Sequence, residues 1–211
     1  MGSCCQHEQT FDGASQEYRR ALWWVIFINA VMFLVEMGAS IQASSQALQA
    51  DALDFLGDTA TYSLSLLVIG RSLKIRNRAA LFKAASLMVM GVSVFTMTLY
   101  RFIYMETPQA VTMGTIGALA FIANMVSVLI LLRFRDGDAN VRSVWLCSRN
   151  DAIGNIAVMI AALGVWQSSS AWPDLIVASI MAGLFSWSAI QIFQQVRNDS
   201  DKDTDQKQVN E

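Results

Sequence analysis

The chain has 211 residues, of which 54% are hydrophobic and 15% charged, with a formal net charge of −2. No basic patch suits nucleic acid, and nothing shows the ten-residue alternating segments of a β-barrel. The charges collect at the N-terminus, at Arg71–Arg78, at Arg133–Arg142 and after Arg197, leaving apolar runs near the ~20 residues that a helix needs to cross a bilayer.

These runs predict an all-α, polytopic membrane protein with six transmembrane helices, at about 22–42, 47–70, 80–103, 111–132, 144–166 and 173–196. The first follows Arg19 and Arg20. A cleaved leader is the competing reading, with small residues at Ala43–Ser45, but a leader's apolar region would be ~7–15 residues. Pro108 and Gly137 mark connections, and Pro173 fits the first turn of the sixth helix. Basic segments follow the second and fourth spans, whereas the segments after the first, third and fifth hold Arg101 as their only cation. The positive-inside rule therefore places both termini in the cytoplasm. Residues 1–20 read as a flexible arm, 21–197 as the transmembrane domain and 198–211 as a short disordered tail.

Ionisable residues inside apolar spans are rare and mark ion paths or proton relays. The first span carries Asn29 and Glu36, seven residues apart. Glu36 reads as a relay carboxylate, a partner to a cation or a residue near the outer end. The second carries Asp51, Asp54 and Asp58 on one stripe, and the fifth carries Cys147, Arg149, Asn150, Asp151 and Asn155. Asp54 and Asp58 are four residues apart, as are Cys147 and Asp151, so each pair shares a helical face. Two such pairs facing each other supply the four ligands of a tetrahedral Zn²⁺ site.

Clustered carboxylates repel one another, and either protons or a divalent cation relieve that cost. Metal and protons thus compete for the same oxygens. The bland alternatives are a wet outer vestibule, above all for Asp51, and a small core residue for Cys147. A thiolate at Cys147 favours Zn²⁺ or Cd²⁺ over Mg²⁺ or Mn²⁺. Asn150 and Asn155 fit supporting hydrogen-bond roles, Asn124 and Ser127 read as packing and hydrogen-bond residues rather than ligands, and Asp174 reads as a charge favoured at a helix N-terminus. Cys4, Cys5 and His7, the only histidine, form a candidate metal-capture cluster in the N-terminal arm.

The chain resembles the cation diffusion facilitators, six-helix metal/proton antiporters. The resemblance covers roughly residues 20–197. It rests on Asn29 to Glu36, on Ser45–Ala52, on Asp54–Asp58, on Cys147–Asp151 and on Trp172–Ala178. It implies a transport site between the second and fifth helices, with Asp54, Asp58, Cys147 and Asp151 as ligands; by their own polar positions in the spans, Asp51, Glu36, Asn29, Asn150 and Asn155 are candidate accessory residues. Cys147 departs from the His or Asp expected there. The cytoplasmic dimerising domain of many relatives is not expected within the ~14 residues after Arg197, nor is a histidine-rich loop between the fourth and fifth helices.

The resulting expectation is efflux of a divalent transition metal, Zn²⁺ or Cd²⁺, with protons as coupling ion. It comes with a lipid bilayer, a homodimer, no nucleic acid and no prosthetic group. The compact chain and the loop bias suggest a bacterial inner membrane. The alternatives are a scaffold or partner subunit that binds metal without moving it, a channel, and an intramembrane enzyme with Cys147 as nucleophile. An enzyme is not expected, because such a thiol normally wants a nearby base.

Overall fold

A computed structural model describes residues 15–68, 73–104, 106–134 and 139–209. Six long helices account for nearly all of them: α1 (Gln16–Ala43), α2 (Gln46–Val68), α3 (Leu73–Tyr104), α4 (Ala110–Leu131), α5 (Ala139–Ser168) and α6 (Trp172–Val209). A short 3₁₀ turn, Leu132–Phe134, follows α4. No strand occurs among the described residues.

Five of the helices contain stretches long and apolar enough to span a membrane. The sixth, α2, has the length, but every 18-residue stretch of it contains Asp51, Asp54 and Asp58. Its membrane position follows from its place in the bundle, where it meets α1, α3, α5 and α6. The other close pairs are α3 with α6, α4 with α5, α1 with α4 and α5 with α6. Large apolar side chains such as Trp23, Phe27, Leu34, Phe82, Val89, Ile160 and Leu184 point outward and exposed. A contiguous apolar exterior of this kind suits lipid rather than water.

Local chemistry fixes the start of α2. Ser44 closes α1 in the left-handed region at φ 54°, a conformation that costs a non-glycine residue roughly 1–2 kcal/mol. Its N–H returns to the Ile41 carbonyl at 3.3 Å, and the Ser45 N–H to that of Ser40 at 3.1 Å. The last carbonyls of α1 are thereby satisfied. Ser45 then caps α2, its Oγ accepting from the Leu48 N–H at 3.1 Å. At the α3–α6 seam, a Cβ on Gly91 would sit 3.0 Å from the Ala182 carbonyl oxygen and 2.6 Å from Ser186 Oγ. The missing side chain is what lets these two helices approach, the small-residue packing usual between membrane helices.

Three boundaries differ from the sequence expectation. Residues 16–20, expected in a flexible arm, are the first turns of α1, capped by Ser15 Oγ accepting from the Tyr18 N–H at 3.2 Å. Lys74, Arg76 and Arg78 belong to α3 rather than to a loop. Residues 198–209, expected as a disordered tail, continue α6. The reason is shared. Once a membrane-packed helix exists, adding a residue costs no new nucleation, so polar flanks without Pro or Gly propagate it. Arg71, Arg135 and Gly137 lie outside the described residues.

Candidate metal centre

Asp51, Asp54 and Asp58 repeat at i, i+3 and i+7 on α2, and α5 presents Asp151 to the same stripe. All four line one crevice with Phe55 and Asn124, too narrow for a water molecule. Asp51 is fully buried, while Asp54, Asp58 and Asp151 are part-buried. The Asp151 carboxyl lies within hydrogen-bonding reach of both Asp54 and Asp58. Its Oδ2 is buried with no hydrogen-bond partner. Carboxylates only accept, so a proton or a cation must bridge such contacts.

Above this cluster runs a polar chain. The Asn124 amide donates to Asn155 Oδ1 at 2.9 Å, and the Asn155 amide donates to Asp51 Oδ2 at 2.7 Å. The Asp51 carboxyl in turn meets Glu36 of α1. Glu36 is completely buried, and neither of its oxygens has a donor. Asp51 is therefore not the vestibule residue that its position near the outer end suggested. It is a buried junction between α1, α2 and α5, and its partner Asn155 was not legible from helix spacing alone. Asn124, read as a packing and hydrogen-bond residue, anchors the far end of the chain in that second role.

Below the cluster, the Tyr62 hydroxyl lies within reach of Asp58, 3.4 Å from Ser148 Oγ and 3.5 Å from the Val144 carbonyl. Cys147 is a free, part-buried thiol one turn before Asp151. It packs beside the apolar cluster that contains Tyr62 and Val144, and the charges of Asp58, Lys83 and Asp54 act on it. It does not line the crevice. Among the described residues no group of three or more His, Cys, Asp or Glu side chains is set to hold a metal ion. The four candidate ligands are thus neighbours without being a closed tetrahedron. Four residues of helix, about 6 Å of rise, separate the members of each pair, so closing all four around one ion requires side-chain movement.

The accessory candidates divide. Asn155 and Glu36 join the polar chain. Asn29 is buried with both amide atoms unpartnered and lies off the crevice. Asn150 is exposed and accepts from Arg149 at 3.3 Å, pointing away from the site. Arg149 itself stacks 5.5 Å from the centre of the Trp145 ring. Cys4, Cys5 and His7 lie outside the described residues.

Sequence reading missed two groups. Tyr62 gave no signal beyond its place one turn past Asp58. Lys83 gave a clear one, as a lone cation inside an apolar run. It shares a face of α3 with Leu87 and Met90, the residues nearest Gly57 of α2. Its charge acts on Asp54, Asp58 and Cys147. No ion pair ties it down among the described residues, where the two pairs found are Arg101–Glu106 and Arg133–Glu17.

Asp174 also differs from expectation. It sits in the first turn of α6, but its carboxylate serves the N-terminus of α2. It accepts from Ser45 Oγ at 2.6 Å, the Gln46 N–H at 2.8 Å and the Ala47 N–H at 3.0 Å. Two orphan donors and the positive end of the α2 dipole are satisfied from another helix. This clasp sets the height of the α2 acid stripe relative to α6.

Residues 22–197 match the cation efflux transmembrane domain. The zinc transporter ZitB of Escherichia coli (strain K12) is 27% identical over 196 residues, covering 85% of this chain and 62% of that protein. The metal cation efflux system protein CzcD of Cupriavidus metallidurans is 23% identical over 182 residues, covering 79% and 56%. The chain therefore spans about three fifths of the length of these relatives.

Proposed function

The chain belongs to the cation diffusion facilitator (cation efflux) family, and from that premise we propose that it exports Zn²⁺ or Cd²⁺ in exchange for protons through the α2–α5 crevice. The observation that supports this most is the meeting of Asp51, Asp54, Asp58 and Asp151, from two helices, around one crevice inside a membrane bundle. Asp54, Asp58 and Asp151 supply hard oxygens, and Cys147 swings in from one turn away as the soft fourth ligand. The relatives' names, a zinc transporter and a metal cation efflux protein, suggest the same class of cargo.

In this mechanism, deprotonated carboxylates take a dehydrated ion from the cytoplasmic side. Rocking of the helices then exposes the site outward, where protons compete for the oxygens, release the metal and return with the empty carrier. The Asp51–Asn155–Asn124 chain holds α2 against α5 and α4 during that motion. The Tyr62 hydroxyl and the Lys83 ammonium compensate the carboxylates when no ion is bound. Both termini face the cytoplasm of a bacterial inner membrane, and the working unit is a homodimer.

The test is metal uptake into proteoliposomes under an imposed pH gradient, with Asp58→Ala beside wild type. The proposal predicts flux that follows the gradient and is absent in the variant. It also predicts that equilibrium metal binding weakens as pH falls, because the ligands must be deprotonated to bind. Tight metal binding by the wild type without flux would instead favour a metal-binding scaffold.

A further inference from the structure

A second cavity lies far along the bundle from the acid crevice, between the start of α1 and the end of α4. It is an open cleft of about 380 Å³, lined by Glu17, Arg20, Ala21, Trp24, Ile130 and Arg133. The α1 residues fall at i, i+3, i+4 and i+7, a single stripe, and Arg133 stands one turn beyond Ile130 on the 3₁₀ turn.

The stripe is graded along its length. Charged groups occupy the terminal end of α1 and apolar ones the end toward the bilayer. Trp24 is 63% exposed, placed as an interfacial aromatic anchor. Arg133 reaches Glu17 at only 3.6 Å, with both side chains largely exposed, and its guanidinium rests 4.6 Å from the centre of the Phe134 ring. An exposed pair of this kind contributes little and yields readily to a better anion. Two arginines against one glutamate leave the cleft net positive.

We propose that this cleft binds the headgroup of an anionic phospholipid. The phosphodiester would lie between the Arg20 and Arg133 guanidiniums, whose planar forks suit phosphate oxygens, and the acyl chains would run down along Ala21, Trp24 and Ile130. A basic cleft between helices at the bilayer surface is the usual geometry for such recognition. The apolar wall argues for a lipid over free phosphate, because an inorganic anion has no use for it. The site is independent of the transport reading.

Native mass spectrometry of the full chain, released from detergent with equal phosphatidylglycerol and phosphatidylcholine, tests it. The wild type should retain one phosphatidylglycerol in preference to phosphatidylcholine. The double variant Arg20→Gln/Arg133→Gln should lose that preference by about tenfold or more, at the strength expected of an interfacial arginine. Arg19→Gln removes one charge from the same helix as Arg20 but outside the cleft, and should leave retention unchanged. Equal retention of the two lipids by the wild type would overturn the proposal. An Arg19→Gln loss as large as that of the double variant would do so too, reducing the effect to general surface charge. Displacement of phosphatidylglycerol by equimolar inorganic phosphate would overturn the lipid assignment.

Discussion

Asp174 and Asp151 are both carboxylates near the start of an apolar helical stretch, yet the structure treats them in opposite ways. Asp174 accepts three hydrogen bonds between 2.6 and 3.0 Å and joins α6 to α2. Asp151 has a buried oxygen without a partner and faces two other acids. A carboxylate surrounded by donors is a structural clasp. One surrounded by acceptors remains unsatisfied until a proton or metal ion arrives, which is the condition a carrier needs. Asp51 shares the satisfied side of this contrast through its Asn155 donor, and Asp58 stands between the two, with the Tyr62 hydroxyl on one side and Asp151 on the other.

The largest expected effect comes from breaking the unsatisfied member. Asp151→Ala should reduce proteoliposome flux by about a hundredfold or more, since the loss of mere supporting contacts around a metal already costs 10–100-fold. Its melting temperature should hold or rise, because a repulsive charge is removed.

Asp174→Ala should do the reverse. It strands the Gln46 and Ala47 N–H groups and the Ser45 hydroxyl, and should cost about 3 kcal/mol of stability, on the scale of lost hydrogen bonds to a buried charge. The readout is a lowered melting temperature with unchanged metal bound per folded chain.

Smaller effects sharpen the site's composition. Cys147→Ser should lower Cd²⁺ binding relative to Zn²⁺ by about tenfold, roughly 1.4 kcal/mol, as a soft ligand becomes a hard one. Competition dialysis with both ions reads this ratio directly. Lys83→Met should tighten Zn²⁺ binding by about tenfold, since two unit charges about 12 Å apart at an effective dielectric near 20 exchange about 1.4 kcal/mol. Equal affinity in the variant would mean that Lys83 does not face the carboxylates in the working protein.

The helical class and the acid stripe were legible because apolar run length and i, i+3, i+7 spacing are local properties. What lies between helices was not. Asn155 reaches Asp51 across 104 residues of sequence and Ser45 reaches Asp174 across 129, and periodicity says nothing about which faces meet. Asn150 shows the complementary failure, since proximity to Asp151 in sequence placed it near the site while the helix turned it outward. Lys83 was visible all along as an intramembrane cation. Its meaning appears only when the α3 face it shares with Leu87 and Met90 is set against α2. The α6 extension through Val209 was missed because composition alone ignores a helix already nucleated in the bundle.

The most direct test of the contrast is equilibrium Zn²⁺ binding to purified, folded protein carrying Asp151→Asn or Asp174→Asn, beside wild type. Both changes remove one charge at nearly constant shape. The account predicts that Asp151→Asn abolishes the bound ion while Asp174→Asn, though less stable, retains it. Wild-type binding by Asp151→Asn would contradict it, and would move the ion away from the α2–α5 crevice.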